Sequence, residues 1–146
     1  MDKTLRLDLT IESRLEEVSR IYDVICDFFD GNGIAPNVAY QFNLCIDEII
    51  TNVVVHGLKD RPDRTIDLAL VLDQDEVRAT VTDDGPDYDP TAAPLSDLLV
   101  PIEERAIGGL GVHFVRTMMD DFTHRRVDGR NVTSFGQHLK PRRTEP

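Results

Sequence analysis

Leu5, Leu7, Leu9 and Ile11 alternate with Thr4, Arg6, Asp8 and Thr10 at the start of the chain. A period of two predicts a strand over 4–11 with one apolar face. Ser13-Arg14-Leu15-Glu16 then has the form of a capping box. Leu15, Val18, Tyr22, Ile25 and Phe29 follow at helical spacing, and Gly31-Asn32-Gly33 should end that helix. Pro36 suits the first turn of a second helix, expected over about 36–56 and stopping at Gly57. Residues 65–72 and 76–83 read as two strands around Asp73-Gln74-Asp75.

The pattern then changes. Residues 84–108 carry Pro86, Pro90, Pro94 and Pro101 and little periodicity beyond the apolar island Leu98-Leu99-Val100. A long loop inside a compact domain usually serves a function. Gly108-Gly109-Leu110-Gly111 opens a third helix carrying Val112, Val115 and Met119. A hairpin of 121–127 and 131–139 around Asp128-Gly129-Arg130 closes the domain. Residues 1–140 are expected to form one domain, and the tail 141–146 to be disordered. Strands grouped in hairpins, with the helices apart, predict an α+β two-layer sandwich. One mixed, mainly antiparallel sheet would lie under about three helices.

Composition narrows the partners. The 146 residues include 27 acidic and 16 basic ones, for a net charge of −11. Nucleic acid and anionic membranes both call for a basic surface, so neither is expected as a partner. The first residues lack the apolar run of a signal peptide, and no apolar stretch approaches the roughly 18 residues of a membrane span. A cytoplasmic location is therefore expected. Cys26 and Cys45 form no metal or redox motif and read as small core residues.

Three stretches could carry chemistry. Glu48, Asn52 and His56 lie at i, i+4 and i+8 on the second helix, forming a polar stripe beside the apolar Phe42, Ile46, Ile49 and Val53. Polar groups at a core rim need partners. Glu48 and His56 could simply bond neighbouring loops. Asp83 shares the parity of Val77, Ala79 and Val81, so its carboxylate should point to the apolar side of its strand. An adenine amino group and a backbone amide of the next turn are both candidate donors to it. Gly85, two residues on, permits a tight turn or a close approach to a flat ring. The glycines at 108–111 precede a helix and could expose amides to phosphate, or act as a hinge. No Gly-Lys-Ser/Thr follows them, so they are not a Walker A loop.

Order and spacing together resemble the histidine-kinase-like (GHKL) ATPase superfamily, which includes the ATPase domains of histidine kinases, gyrase and MutL. The stretch from Asp47-Glu48 through Asn52 to His56-Gly57 resembles its N box. Asp83-Asp84-Gly85-Pro86-Asp87-Tyr88-Asp89-Pro90 resembles its first glycine box, and Gly108-Gly109-Leu110-Gly111-Val112 its second. The likeness runs from the first strand to the last hairpin. It is strongest to the anti-sigma-factor serine kinases of the RsbW and SpoIIAB type, through Asp-Asp-Gly-Pro-x-Tyr-Asp-Pro and Gly129-Arg130-Asn131-Val132.

The resemblance implies a Bergerat-type ATP-binding fold and a set of roles. Asn52 would ligate Mg²⁺. Asp83 would accept from adenine beside Gly85. Residues 86–108 would be the ATP lid. Gly109, Leu110, Gly111 and Val112 would cradle phosphates. Glu48 would be the base, and His56 would stand one turn beyond it. Two positions depart from the family pattern: Asp87 stands where a second glycine is usual, and Asn131 where a threonine near the base is frequent. The implied activity is Mg-ATP-dependent phosphorylation of a serine on a STAS-type anti-anti-sigma protein. The same chain would sequester a sigma factor or other regulatory target, as a homodimer. The alternative is a non-catalytic module whose protein binding is gated by ATP. His113, His124 and His138 show no metal spacing, and Arg125-Arg126 reads as a solvated hairpin face.

Overall fold

The computed structural model describes residues 4–59, 61, 63–92 and 109–139. The expected lid therefore lies outside the described residues from 93 onward, as do Gly108 and the tail. In chain order the elements are β1 (Leu5–Glu12), α1 (Leu15–Gly31), α2 (Pro36–Asn52, continued by a π-helical turn at Val53–Gly57), β2 (Thr65–Leu72), β3 (Glu76–Asp83), α3 (Gly109–Met118), β4 (Asp121–Val127) and β5 (Arg130–His138). The strands form one sheet in the order β1-β2-β3-β5-β4. Every pairing among them is antiparallel, so the mixed sheet expected from sequence is purely antiparallel over the described residues.

One face of the sheet carries the core. The alternation in β2 and β3 buries Ile66, Leu68, Leu70, Leu72, Val77, Ala79 and Val81. From above, α1 contributes Ile21, Ile25 and Phe29, and α2 contributes Phe42, Cys45, Ile46, Ile49 and Ile50. Phe42 links the layers: its ring centroid is 5.8 Å from Phe29 and 6.0 Å from Phe135 of β5. Truncating so large a fully buried ring leaves a cavity. Phe42→Ala is expected to lower unfolding free energy by about 3–5 kcal/mol, read from urea denaturation.

Helix α2 with its π turn, Pro36–Gly57, is 22 residues long with mean hydropathy 1.2, long and apolar enough to cross a membrane by composition. The sequence reading had found no such stretch. Here the helix buries its apolar side in the core and carries Asn43, Asp47, Glu48 and Asn52.

The capping box is not formed. Helix α1 begins after Arg14, with no side-chain cap. The Ser13 amide donates to the Arg64 carbonyl at 2.9 Å, continuing the β1–β2 ladder one residue past β1. Ser13 is thus held in the sheet, and its buried hydroxyl has no hydrogen-bond partner among the described residues. Gly33, at φ 73°, closes the helix end as its position suggested.

Candidate nucleotide site

The candidate residues lie along the end of α2 and at the end of β3, where Gly57 and Leu58 after α2 pack against the turn that follows β3. The i, i+4 spacing keeps Glu48 and Asn52 on one side of α2, and Asn52 is only 2% exposed. Beyond Asn52 the helix widens. The Leu58 amide reaches back to the Val53 carbonyl at 2.6 Å, five residues away. A π turn advances less per residue than an α-helix, so His56 leaves the stripe. Its ring stacks instead on Tyr88, 6.4 Å between centroids and 24° between planes. Half-buried Tyr88 also packs over Gly57, where a Cβ would stand 3.6 Å from the ring. Burial raises the Tyr88 phenol above its ordinary pKa.

Glu48 is half-buried and makes no hydrogen bond or ion pair with the described residues. Loss of solvent, with a smaller contribution from the neighbouring Asp47 charge, raises its pKa above the usual carboxylate range. Cys45, one turn earlier, is pushed up to about 12 by burial and then by Glu48, which keeps it a neutral core thiol.

Asp83 points inward, as its parity requires, and is 5% exposed. Its Oδ1 accepts from the Gly85 amide at 2.8 Å and from Asn131 Nδ2 at 3.1 Å. The backbone-amide partner weighed from sequence is therefore present, but on one oxygen; no described residue donates to Oδ2. The β3–β5 register sets Asp83 directly opposite Asn131. Asn131 is 1% exposed and spends its amide on the loop after β3. Its Nδ2 also donates to the Pro86 carbonyl at 2.8 Å, and its Oδ1 accepts from the Tyr88 amide at 3.2 Å.

Arg126 completes this clamp. It is the same-face neighbour of Phe122 and His124 on β4, and its Nη1 donates to the Gly85 carbonyl at 2.7 Å and to Asn131 Oδ1 at 3.1 Å. Both Arg125 and Arg126 are exposed, as the reading of a solvated hairpin face expected; the bonds of Arg126 to the turn are an addition to that reading. On the other flank Arg64 pairs with Asp84 at 3.0 Å. Asp87, where the family has a glycine, faces His124 Nε2 at 3.4 Å, and His124 Nδ1 lies 3.5 Å from Thr133 Oγ1.

Gly85 is required by space rather than by φ. A Cβ there would lie 2.5 Å from Leu58 Cδ2 and 3.1 Å from Asp83 Oδ1. Gly85→Ala is expected to destabilise the chain by about 1–3 kcal/mol. Most of that loss should vanish in a Leu58→Ala background, as thermal melts of the double-mutant cycle would show.

Helix α3 starts at Gly109, so Gly109, Leu110, Gly111 and Val112 form its first turn. Amides of a first turn have no intrahelical acceptor and carry partial positive charge. A roomier cleft of about 890 Å³ lies between the start of α2 and the end of β5. It collects none of the candidate site residues, so chemistry rather than volume singles out the site.

A buried acceptor on β3, a glycine turn clamped beside it, a polar stripe on α2 and a glycine-started α3 define an ATP-binding domain of the histidine-kinase type. The chain belongs to the histidine kinase-like ATPase domain family, whose pattern matches residues 11–136. The serine/threonine-protein kinase BtrW of Bordetella bronchiseptica is 30% identical over 107 residues, 73% of this chain and 75% of that protein. The serine-protein kinase RsbW of Bacillus cereus strain AH187 is 25% identical over 137 residues, 90% of this chain and 84% of that protein. The histidine kinase domain from the blue-light activated histidine kinase of Erythrobacter litoralis EL346 shares the fold, with a TM-score of 0.50 at 19% identity. That match covers 87% of this chain, which spans 61% of the longer one.

Proposed function

We propose that this chain is a Mg-ATP-dependent protein-serine kinase that phosphorylates a STAS-type anti-anti-sigma protein. In the same reading it sequesters a sigma factor or other regulatory target, as a homodimer, and exchanges partners with the acceptor's phosphorylation. The observation that carries the catalytic part is Glu48: a partly desolvated carboxylate without a hydrogen-bond or ion-pair partner among the described residues, one helical turn before buried Asn52. The names of the two relatives support the choice of serine as acceptor.

The geometry supports a set of roles. Asp83 Oδ2 would accept the adenine amino group, while Gly85, Asn131 and Arg126 hold the carboxylate and the turn in place. The amides from Gly109 to Val112 would receive phosphate oxygens. No group of three His, Cys, Asp or Glu side chains that could hold a metal exists among the described residues. That fits Mg²⁺, which keeps waters and substrate phosphates as ligands and would need only the Asn52 amide oxygen from the protein. The ion would supply charge neutralisation at the phosphates. Glu48 would accept the proton of the attacking serine hydroxyl as its oxygen bonds to the γ-phosphorus and the β–γ bridge breaks to release ADP. A raised pKa makes Glu48 a stronger base than an ordinary carboxylate.

Intact-mass spectrometry of a purified STAS protein mixed with Mg-ATP and this chain tests the reading. Gain of one phosphate, lost with Asn52→Ala, is the expected result. ATP binding without transfer to any STAS acceptor, together with nucleotide-dependent pull-down, would replace the kinase with the ATP-gated binding module.

A further inference from the structure

The loop that follows β3 is held residue by residue. Asp84 pairs with Arg64, the Gly85 carbonyl accepts from Arg126, and the Pro86 carbonyl and Tyr88 amide bond to the Asn131 side chain. Asp87 stands between these anchored neighbours, and its own backbone bonds to no described residue. Its one polar contact among the described residues is made by the side chain: Oδ1 lies 3.4 Å from His124 Nε2. Asp87 is also the loop position that departs from the family pattern, and a glycine there could make no such contact.

His124 is placed to receive that carboxylate. It lies on β4 directly opposite Thr133 of β5, with its side chain only 7% exposed. An imidazole so far from solvent needs a partner for each ring nitrogen. Nδ1 lies 3.5 Å from the hydroxyl of buried Thr133, and Nε2 faces Asp87. An ionised carboxylate can only accept, so Nε2 carries a hydrogen and donates it. In the neutral ring Nδ1 then accepts from the Thr133 hydroxyl. The contact thus runs from the sheet, through a buried ring, to a loop side chain that is 70% exposed.

We propose that His124 is a positioning residue of the nucleotide site, holding Asp87 and through it the turn that presents Asp83 to the base. The proposal rests on the ATP-binding reading above and adds to its clamp a residue bonded to neither Asp83 nor Gly85. The Gly85 amide must stay on Asp83 Oδ1 if Oδ2 is to face the adenine amino group, and Gly85 is two residues from Asp87. A loop ordered by protein contacts does not have to be ordered by the ligand, so less affinity is lost on binding. Both partners are protein groups. His124 therefore acts on nucleotide affinity and residence time without touching the nucleotide.

The test is titration of the full chain with a fluorescent ATP analogue and Mg²⁺, with stopped-flow release of the bound analogue. His124→Phe keeps an aromatic ring and removes both ring nitrogens; Asp87→Ala removes the carboxylate. Each is expected to raise the dissociation constant about three- to tenfold, the effect of one modest hydrogen bond, mainly through faster release. The double variant His124→Phe/Asp87→Ala should bind no more weakly than either single one, because both changes remove the same contact. His124→Gln, whose amide can donate to Asp87 and accept from Thr133, should keep the parental affinity; a ring that served only packing would not be replaced by it. Thermal melts show which variants fold, and should His124→Phe not fold, Asp87→Ala and His124→Gln decide. Single variants that bind like the parent, or a double variant whose losses add, overturn the positioning role and leave the nucleotide site standing. A parental chain that binds no nucleotide overturns both, while the phosphotransfer assay judges the kinase reading separately.

Discussion

Glu48→Gln is expected to bind Mg-ATP as tightly as the parental chain and to transfer its phosphate about 10²- to 10⁴-fold more slowly, the usual worth of a general base. The glutamine keeps the size and polarity of the side chain but has no lone pair basic enough to take the serine proton. Single-turnover transfer measured by quench and mass spectrometry, beside isothermal titration with a non-hydrolysable ATP analogue, separates the two effects. A variant that transfers at the parental rate would remove Glu48 from the mechanism.

The parental rate should fall on acidification through a pKa above the ordinary glutamate value of about 4.3, because burial and Asp47 both disfavour the charged form. Stability has the matching sign. The folded chain holds the Glu48 proton more tightly than the unfolded chain does. The Glu48 contribution to stability is therefore greatest below the unfolded pKa and is lost as pH rises through the folded one. At neutral pH Glu48→Gln should accordingly melt higher than the parent while losing transfer, a combination that a merely structural glutamate would not give.

Asp83→Asn is expected to weaken ATP binding about 10- to 100-fold with the fold intact, from the worth of a hydrogen bond to a charged group. In the proposed site both oxygens of Asp83 would accept: Oδ1 takes the Gly85 amide and Asn131, and Oδ2 would take the base. An asparagine can present oxygen to only one of these. Its NH₂ must therefore face either the adenine donor or the Gly85 amide. Titration with a fluorescent ATP analogue, with circular dichroism to confirm folding, reads the loss. Undiminished affinity would mean that the base contacts some other residue.

Much of this site was legible before any tertiary contact was known. The parity of β3 pointed Asp83 inward because side chains alternate strictly along a strand, whatever the strand pairs with. The i, i+4 spacing put Glu48 and Asn52 together because one α-helical turn is a local property. Both strands of the β2–β3 hairpin fall on the residues that the alternation marked, and α3 begins at the glycines that were expected to open it.

Where the sequence reading failed, a non-local contact had overridden a local signal. Ser13 matches a capping box, yet the β1–β2 ladder captures its backbone first. His56 continues the stripe by arithmetic, yet the π turn carries it to Tyr88. Arg126 is exposed as expected, but its bond to the Gly85 carbonyl, 41 positions away in sequence, had no local signal.

Local periodicity thus determined which face each residue takes and where the elements lie, while the ATP roles were implied by the resemblance of the motifs. The tertiary structure alone decided which strands are neighbours and in which register. That choice joins Asp83 to Asn131 across 48 positions. The division is physical. The period of two or of 3.6 is fixed by the backbone within a few residues, whereas strand order and register are set by the summed packing of segments far apart in the chain.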